Sequence, residues 1–279
     1  TSMLAALETG EVDIATGMPP VSTQTIEAND KLELISEPTT ATEYICLNVE
    51  KVPFNNKDFR KALNYAIDKQ SIIDSIFSGR GKVAKSIVNP NVFGYYDGLE
   101  EYPFNLEKAK ELIEKSGVKN ASFSLYVNDS PVRLQVAQII QANLKDVGIK
   151  VTLKTVSYET LLDMRDSGNF DLLIWNVLAA NTGDPEKYLY ENWDSESASN
   201  QAGYKNAKVD ELLDKLNVEF DPEKRKELAI EIQQLIMNDA ATVFFGYETT
   251  FLFSNKKVQN LKMFPMDYYW LTKDVTVTE

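Results

Sequence analysis

The chain has 279 residues and not one histidine. That removes serine–histidine–aspartate and cysteine–histidine catalysis, and every metal site built on imidazole. A single cysteine, Cys46, excludes an intrachain disulfide. This suits either a cytosolic protein or an exported one large enough to fold without cross-links. No apolar run approaches the ~18 residues of a membrane-spanning helix, and no signal peptide opens the chain. Positive charge is scarce: 29 Lys and Arg stand against 42 Asp and Glu, for a net charge of −13. An acidic surface repels phosphate backbones and argues against nucleic acid as a partner. No basic run suggests a membrane-surface patch or a nuclear signal. Internal repeats and low-complexity linkers are missing as well.

What remains has ordinary globular composition, 43% hydrophobic and 25% charged. The length fits one large domain or two ordinary ones. The first residues, "TSMLAALETGEVDIATGMPP", already look like the middle of a domain, with Leu4, Ala5, Leu7, Val12 and Ile14 as core of a helix and a strand. The expectation is a chain excised from something longer.

Hydrophobic periodicity then gives an element order. "KLELIS" and "EYICLNVE" read as two strands, the second with Tyr44, Cys46 and Asn48 on one face and Ile45, Leu47 and Val49 on the other. "NNKDFRKALNYAIDKQSIIDSIFSG" reads as one long helix capped by Asn55 or Asn56 and stopped by Gly79. A helix over "NLEKAKELIEKSG" starts at the cap Asn105 and ends at Gly117. "ASFSLYV", "SPVRLQVAQIIQANLKDVG", "IKVTLKTV", "SYETLLDMRDSG" and "FDLLIWNVL" then alternate strand and helix, the order of an α/β layer. The last strand lacks polar alternation, as expected when both of its faces are covered. Helices over "AKVDELLDKLNVEF" and "DPEKRKELAIEIQQLIMND" and a final strand "ATVFFGYETTFLFS" follow.

Candidate chemistry is thin. "GRGKV" at 79–83 lacks both the spacing and the Ser or Thr of a phosphate loop, so a helix-ending loop is favoured. Carboxylate pairs such as Glu100/Glu101 and Glu111/Glu114 fall on polar faces, where solvated surface outweighs catalysis. Asp13 and Asp171 beside strands are better read as sheet-end partners than as ligands to a substrate. The stretch "FDLLIWNVLAANTGDPEKYLYENW" at 170–193 is different. A buried strand opens into small residues, turns at Asp184-Pro185 and continues into aromatics. Trp175, Tyr188, Tyr190, Trp193 and Tyr204 are either core or the lining of a cleft, and the pattern alone leaves both open.

Six separated stretches, in order and spacing, resemble one family, the solute-binding proteins of peptide and nickel ABC transporters. They are "LAALETGEVDIATGMPP", "FNNKDFRKALNYAIDKQSIID", "NLEKAKELIEKSGV", "AQIIQANLKDVGIKVTLKTV", the Asp184-Pro185 frame, and the run from Asn200 through the final strand. The resemblance spans residues 2–250. It implies an α/β fold of the periplasmic-binding-protein type II kind, a lobe with a mixed sheet flanked by helices, plus a remnant of the other lobe. It implies that family members continue before residue 1, with an export signal or lipid anchor, and that this chain is the C-terminal portion. Residues 1–43 would be the lobe I remnant, 44–240 lobe II, and 241–279 the return to lobe I, with crossings near Thr42–Asn48 and Ala240–Glu248.

The function implied is capture of a peptide in an interlobe cleft and delivery to a membrane permease, with no catalysis and no cofactor. A nickel or metal-chelate ligand is the alternative within the family; an acidic α/β hydrolase or a pure interaction module are the alternatives outside it. The protein would work outside the cytoplasm as a monomer, touching the membrane only through an anchor or the permease. Peptide binders of the family carry an Asp three residues before Asp-Pro, where it holds the peptide amino terminus; here that place is Asn181. Leu178 and Ala179 fall where relatives carry tryptophan. The ligand-binding residues implied are Asn181, Leu178, Ala179 and Thr182, with Trp175 and Tyr188 behind them.

Overall fold

The structure, a computed structural model, describes residues 2–178, 183–264, 268–269 and 271–278, with the backbone alone at Leu178, 268 and 269. The elements run α1 (Ser2–Thr9), β1 (Ile14–Thr16), α2 (Ser22–Glu27), β2 (Leu32–Leu47), α3 (Lys57–Ala66), α4 (Lys69–Ile76), α5 (Leu106–Ser116) and β3 (Ser122–Asn128). They continue with α6 (Pro131–Asp146), β4 (Lys150–Val156), α7 (Tyr158–Ser167), β5 (Leu172–Leu178), α8 (Glu186–Trp193), α9 (Ala207–Val218), α10 (Pro222–Asn238) and β6 (Thr242–Asn255). Short two-residue strands follow.

Side-chain caps set the helix starts. Asn56 accepts from the Phe59 amide at 3.1 Å, and Asn105 from the Lys108 amide at 2.9 Å. Pro131 and Pro222 sit at first-turn positions, where a missing N–H costs nothing. Gly117 leaves α5 with a φ of +73°, a conformation that a side chain would strain.

One mixed sheet organises the chain, in the order β1-β6-β2-β5-β3-β4. β3 pairs parallel with β4 and with β5, through α6 and α7 crossovers, whereas β2 pairs antiparallel with β5 and β6. The two faces of β2 and β5 enter different cores. Tyr44, Cys46, Leu173 and Trp175 pack with α8, α9 and α10, while Ile45, Leu47, Leu172 and Ile174 pack with α3 and α6. Each such buried side chain contributes roughly 1.5–3 kcal/mol of transfer free energy, and β5 is apolar except for Asn176 because both of its faces do so.

Four elements differ from the sequence reading. "KLELIS" and "EYICLNVE" are one strand, β2, because β6 pairs with it on both sides of a register shift: Leu32–Pro38 pair with Asn255–Thr249, and Thr42–Cys46 with Tyr247–Thr242. The register shifts between Pro38 and Thr42, where Thr39 donates through its hydroxyl to the Glu248 carbonyl at 3.2 Å. The long helix expected over 55–79 breaks at Ile67, because Asp68 turns its carboxylate onto the Ser71 amide (3.0 Å) and starts α4 afresh. Finally, α2 and α8 had no counterpart in the reading. The aromatic, Asn-containing "EKYLYENW" has weak helical propensity, and burial of Tyr188, Leu189 and Trp193 decides its state.

β1, α1 and the first half of β2 gather around a separate small core of Leu7, Ala15, Ile26, Leu32, Phe251 and Phe253. The sheet therefore runs through two bodies of packing, joined by β2 and β6.

Candidate functional site

At the register shift of β2 and β6 a cleft of about 770 Å³ opens between the two packing bodies. One wall is the 16–20 segment, Thr16 to Pro20. The other is built from β2, β5, β6 and the first turn of α6. The size falls in the range of sites for small organic ligands.

The polar groups on the second wall come from different elements. Glu43 and Asn176 are register partners on β2 and β5. Arg133, in the first turn of α6, donates from Nη2 to the Asn176 Oδ1 at 2.9 Å and lies 3.7 Å from the Glu43 Oε1. Glu248 on β6 lines the same cleft. Apolar contact is supplied by Phe77, Val136, Ile174 and Phe245.

Glu43 is only 8% exposed. Burial pushes its carboxyl up to about 8; Arg133 pulls it down and Glu248 pushes it up further. Among the described residues nothing donates a hydrogen bond to it, and Arg133 at 3.7 Å is too distant to do so. The cleft thus combines an anchored guanidinium, a buried carboxyl without donors, an amide and apolar walls.

The residues singled out in the sequence separate. Asn181, Ala179 and Thr182, and the side chain of Leu178, lie outside the described residues. Trp175 and Tyr188 are buried on the far face of the sheet from the cleft. Trp175 stacks on Tyr158 with ring centroids 5.9 Å apart, and the Arg165 guanidinium sits 4.5 Å from its ring centroid. Trp193 and Tyr204 pack edge to face in the same core, and Tyr190 is exposed.

Asp171 accepts from the Ser124 amide and Asp13 pairs with Lys257, so both are sheet-end partners as read. Among the described residues no group of three His, Cys, Asp or Glu could hold a metal ion. No helix among them is long and apolar enough to cross a membrane.

Glu43, Arg133 and Asn176 were missed by the reading. The signal was present for one of them: Glu43 falls on the face of β2 shared by Ile45 and Leu47, a charge on an otherwise apolar face.

Compared with known proteins, residues 1–200 match the model of the bacterial extracellular solute-binding proteins, family 5, middle region. The chain belongs to this family. Heme-binding protein A of Haemophilus influenzae is 27% identical over 278 residues, 96% of this chain and 50% of that protein. Among solved structures, the ABC transporter-associated periplasmic binding protein DppA of Helicobacter pylori, in complex with the peptide STSA, superposes with a TM-score of 0.86 at 26% identity. The match covers 94% of this chain and 52% of that one. NikA of Staphylococcus aureus, in complex with Ni(L-His)2, gives a TM-score of 0.85 at 26% identity, covering 99% of this chain and 59% of its own. The chain spans about half the length of the curated relatives it matches. As a family member its fold is that of the periplasmic binding proteins of the peptide and nickel group, mixed α/β with a six-stranded sheet.

Proposed function

We propose that this chain is the ligand-capturing portion of the solute-binding component of an ABC importer, working outside the cytoplasm and handing its ligand to a membrane permease. The observation that carries this reading is the 770 Å³ cleft at the β2–β6 crossing, with Arg133, Glu43 and Asn176 converging on it from three elements. Residues 1–43 and 241–279 would belong to one lobe and 44–240 to the other, in keeping with the separate core beneath β1 and the first half of β2. Two strands crossing between lobes suit closure by a hinge. The family is one of solute-binding proteins, and among the described residues lining the cleft no nucleophile is paired with a base.

Peptide is the ligand class best supported. A peptide offers alternating donors and acceptors and two charged ends, which fit an apolar groove carrying a guanidinium, two carboxyls and an amide. The H. pylori relative is itself complexed with a peptide. A metal chelate is the second reading, favoured by the complex of the S. aureus relative. The metal would arrive inside its own organic ligands. Asn181 in place of an acidic residue argues that an amino-terminal salt bridge at that position is not used, and Leu178 and Ala179, where relatives carry tryptophan, remove aromatic contact there.

Native mass spectrometry of the intact gene product, purified without denaturation, tests the reading. A retained mass in the peptide range is expected. A metal-chelate mass would move the assignment to the second reading, and turnover of a peptide into fragments would refute binding without catalysis.

A further inference from the structure

The charges around the cleft specify more than its size does. This inference rests on the reading of the cleft as the ligand site. Among the described residues that line it, the charged groups are Glu43, Glu248 and Arg133, two carboxyls and one guanidinium. Glu43 is nine-tenths buried and faces the cavity. Its surroundings can be taken element by element. From β5 come Asn176 and Ile174, neither of them charged. From β6 come Phe245, Gly246 and Glu248, and a Cβ at Gly246 would stand only 4.0 Å from that of Glu43. From α6 comes Arg133, and from the segment after α4 the ring of Phe77. Arg133 and Glu248 are therefore the charges that face it, and these two act on it in opposite directions.

Arg133 does not satisfy Glu43. Its Nη2 is committed to the Asn176 Oδ1 at 2.9 Å and remains 3.7 Å from the Glu43 Oε1. Buried carboxyls are otherwise hydrogen-bonded or paired, so the missing donors have to come from whatever fills the cavity. A ligand carboxylate placed there would meet the Glu248 carboxyl and would hold Glu43 in its protonated form. A ligand cation would face the unbonded carboxyl and gain a charge-assisted hydrogen bond.

We propose that the ligand presents a cationic group, a protonated amine or a guanidinium, to Glu43. Glu43 is then a specificity-determining residue for a basic or free-amine peptide. In the empty cleft near neutral pH the carboxyl holds its proton. The arriving cation keeps its own protons and favours the carboxylate, and the Glu43 proton leaves to solvent. Binding of a cationic ligand consequently releases a proton and strengthens as pH rises toward the value at which Glu43 ionises by itself.

The test is titration calorimetry of the intact gene product with four peptides: Ala-Lys-Ala, Ala-norleucine-Ala, and the amino-acetylated form of each. Measurements are made at pH 6 and pH 8 and in two buffers of different ionisation heat. The expected result is that at least one cationic peptide binds roughly tenfold or more tightly than acetyl-Ala-norleucine-Ala. For acetyl-Ala-Lys-Ala, whose ammonium stays charged throughout, affinity should rise by on the order of tenfold between pH 6 and pH 8, with proton release. Glu43→Gln should abolish both the preference and the release while its thermal unfolding remains cooperative. Equal binding of all four peptides, or affinity that falls with rising pH for the lysine peptide, overturns this proposal and leaves the cleft as a peptide site. Binding of none overturns the peptide reading and this proposal with it.

Discussion

Arg225 on α10 and Asp184 at the start of the α8 segment share an ion pair in which one guanidinium nitrogen reaches both carboxylate oxygens, at 3.0 and 2.9 Å. The other nitrogen, Nη1, donates to the carbonyls of Leu216 and Glu219 at the end of α9. The same Asp184 accepts from the Glu186 amide at 2.9 Å, fixing the first turn of α8. One side chain therefore ties three helices to the turn that follows β5.

Replacing Arg225 with Ala removes its hydrogen bonds to those two carbonyls and to the Asp184 carboxylate. The expected loss is about 1–3 kcal/mol, since hydrogen bonds to charged groups contribute more than neutral ones. Arg225→Lys should recover little of it, because an ammonium cannot span both carbonyls and the carboxylate. Urea unfolding of the two variants measures this, and equal stability of lysine and arginine at 225 would count against the geometry.

Arg60 performs a comparable task at the other end of α10. It donates to the carbonyls of Phe54, Asp239 and Ala240, at 2.7–3.2 Å, from a site that is largely buried. A cation there also faces the negative end of the α10 dipole. Arg60→Met should cost about 2–4 kcal/mol, because buried carbonyls are left unpaired. A loss under about 0.5 kcal/mol in denaturant unfolding would show that those carbonyls find other partners.

Glu43 predicts the sign of a pH effect on stability. Its carboxyl titrates near 8 in the folded chain against an ordinary 4.5. Between those values the folded state holds a proton that the unfolded state has lost, so stability falls as pH rises through that window and is untouched below it. Glu43→Gln removes the effect. At pH 8 the variant should be more stable than the parent by on the order of 3 kcal/mol, and the gain should vanish near pH 4. Thermal unfolding of the pair at pH 4, 6 and 8 decides; a constant difference would mean that burial does not hold the proton.

Trp175 and Tyr188 predict a separation of stability from binding. Trp175→Leu removes the stack with Tyr158 and the contact with Arg165, and should cost about 2–4 kcal/mol. The Tyr188 hydroxyl is buried without a hydrogen-bond partner among the described residues. Tyr188→Phe should therefore be neutral or gain about 1 kcal/mol. In folded protein both variants should keep ligand affinity within about threefold, because both side chains face away from the cleft. A tenfold loss of affinity in either would place it on the ligand.

Much of the fold was legible in the sequence because it is local. Asn56, Asn105, Ser130 and Asp221 accept from amides two or three residues ahead, so caps could be read from residue type and spacing. The almost unbroken apolar run of β5 announced a strand covered on both faces, and the alternation of β2 assigned Tyr44 and Ile45 to opposite cores. The order and spacing of the family stretches likewise pointed to the family that the family model then matched over residues 1–200.

The cleft was not legible, because it depends on contacts made far along the chain. Glu43, Arg133 and Asn176 become neighbours only when β2, β5 and the first turn of α6 meet, and their pairing follows from strand register. Register also decided that two strands seen in the sequence are one. β6, some two hundred residues later, supplies the partner backbone that carries β2 past Pro38. The far-face placement of Trp175 has the same origin: a strand alternates sides at every residue, and the covering helices determine which side is core and which is cleft. Residue types and local spacing thus determined the helices, the covered strands and the kind of protein this is. Long-range packing alone decided which polar groups lose water, which keep a partner, and that a buried carboxyl faces the cleft.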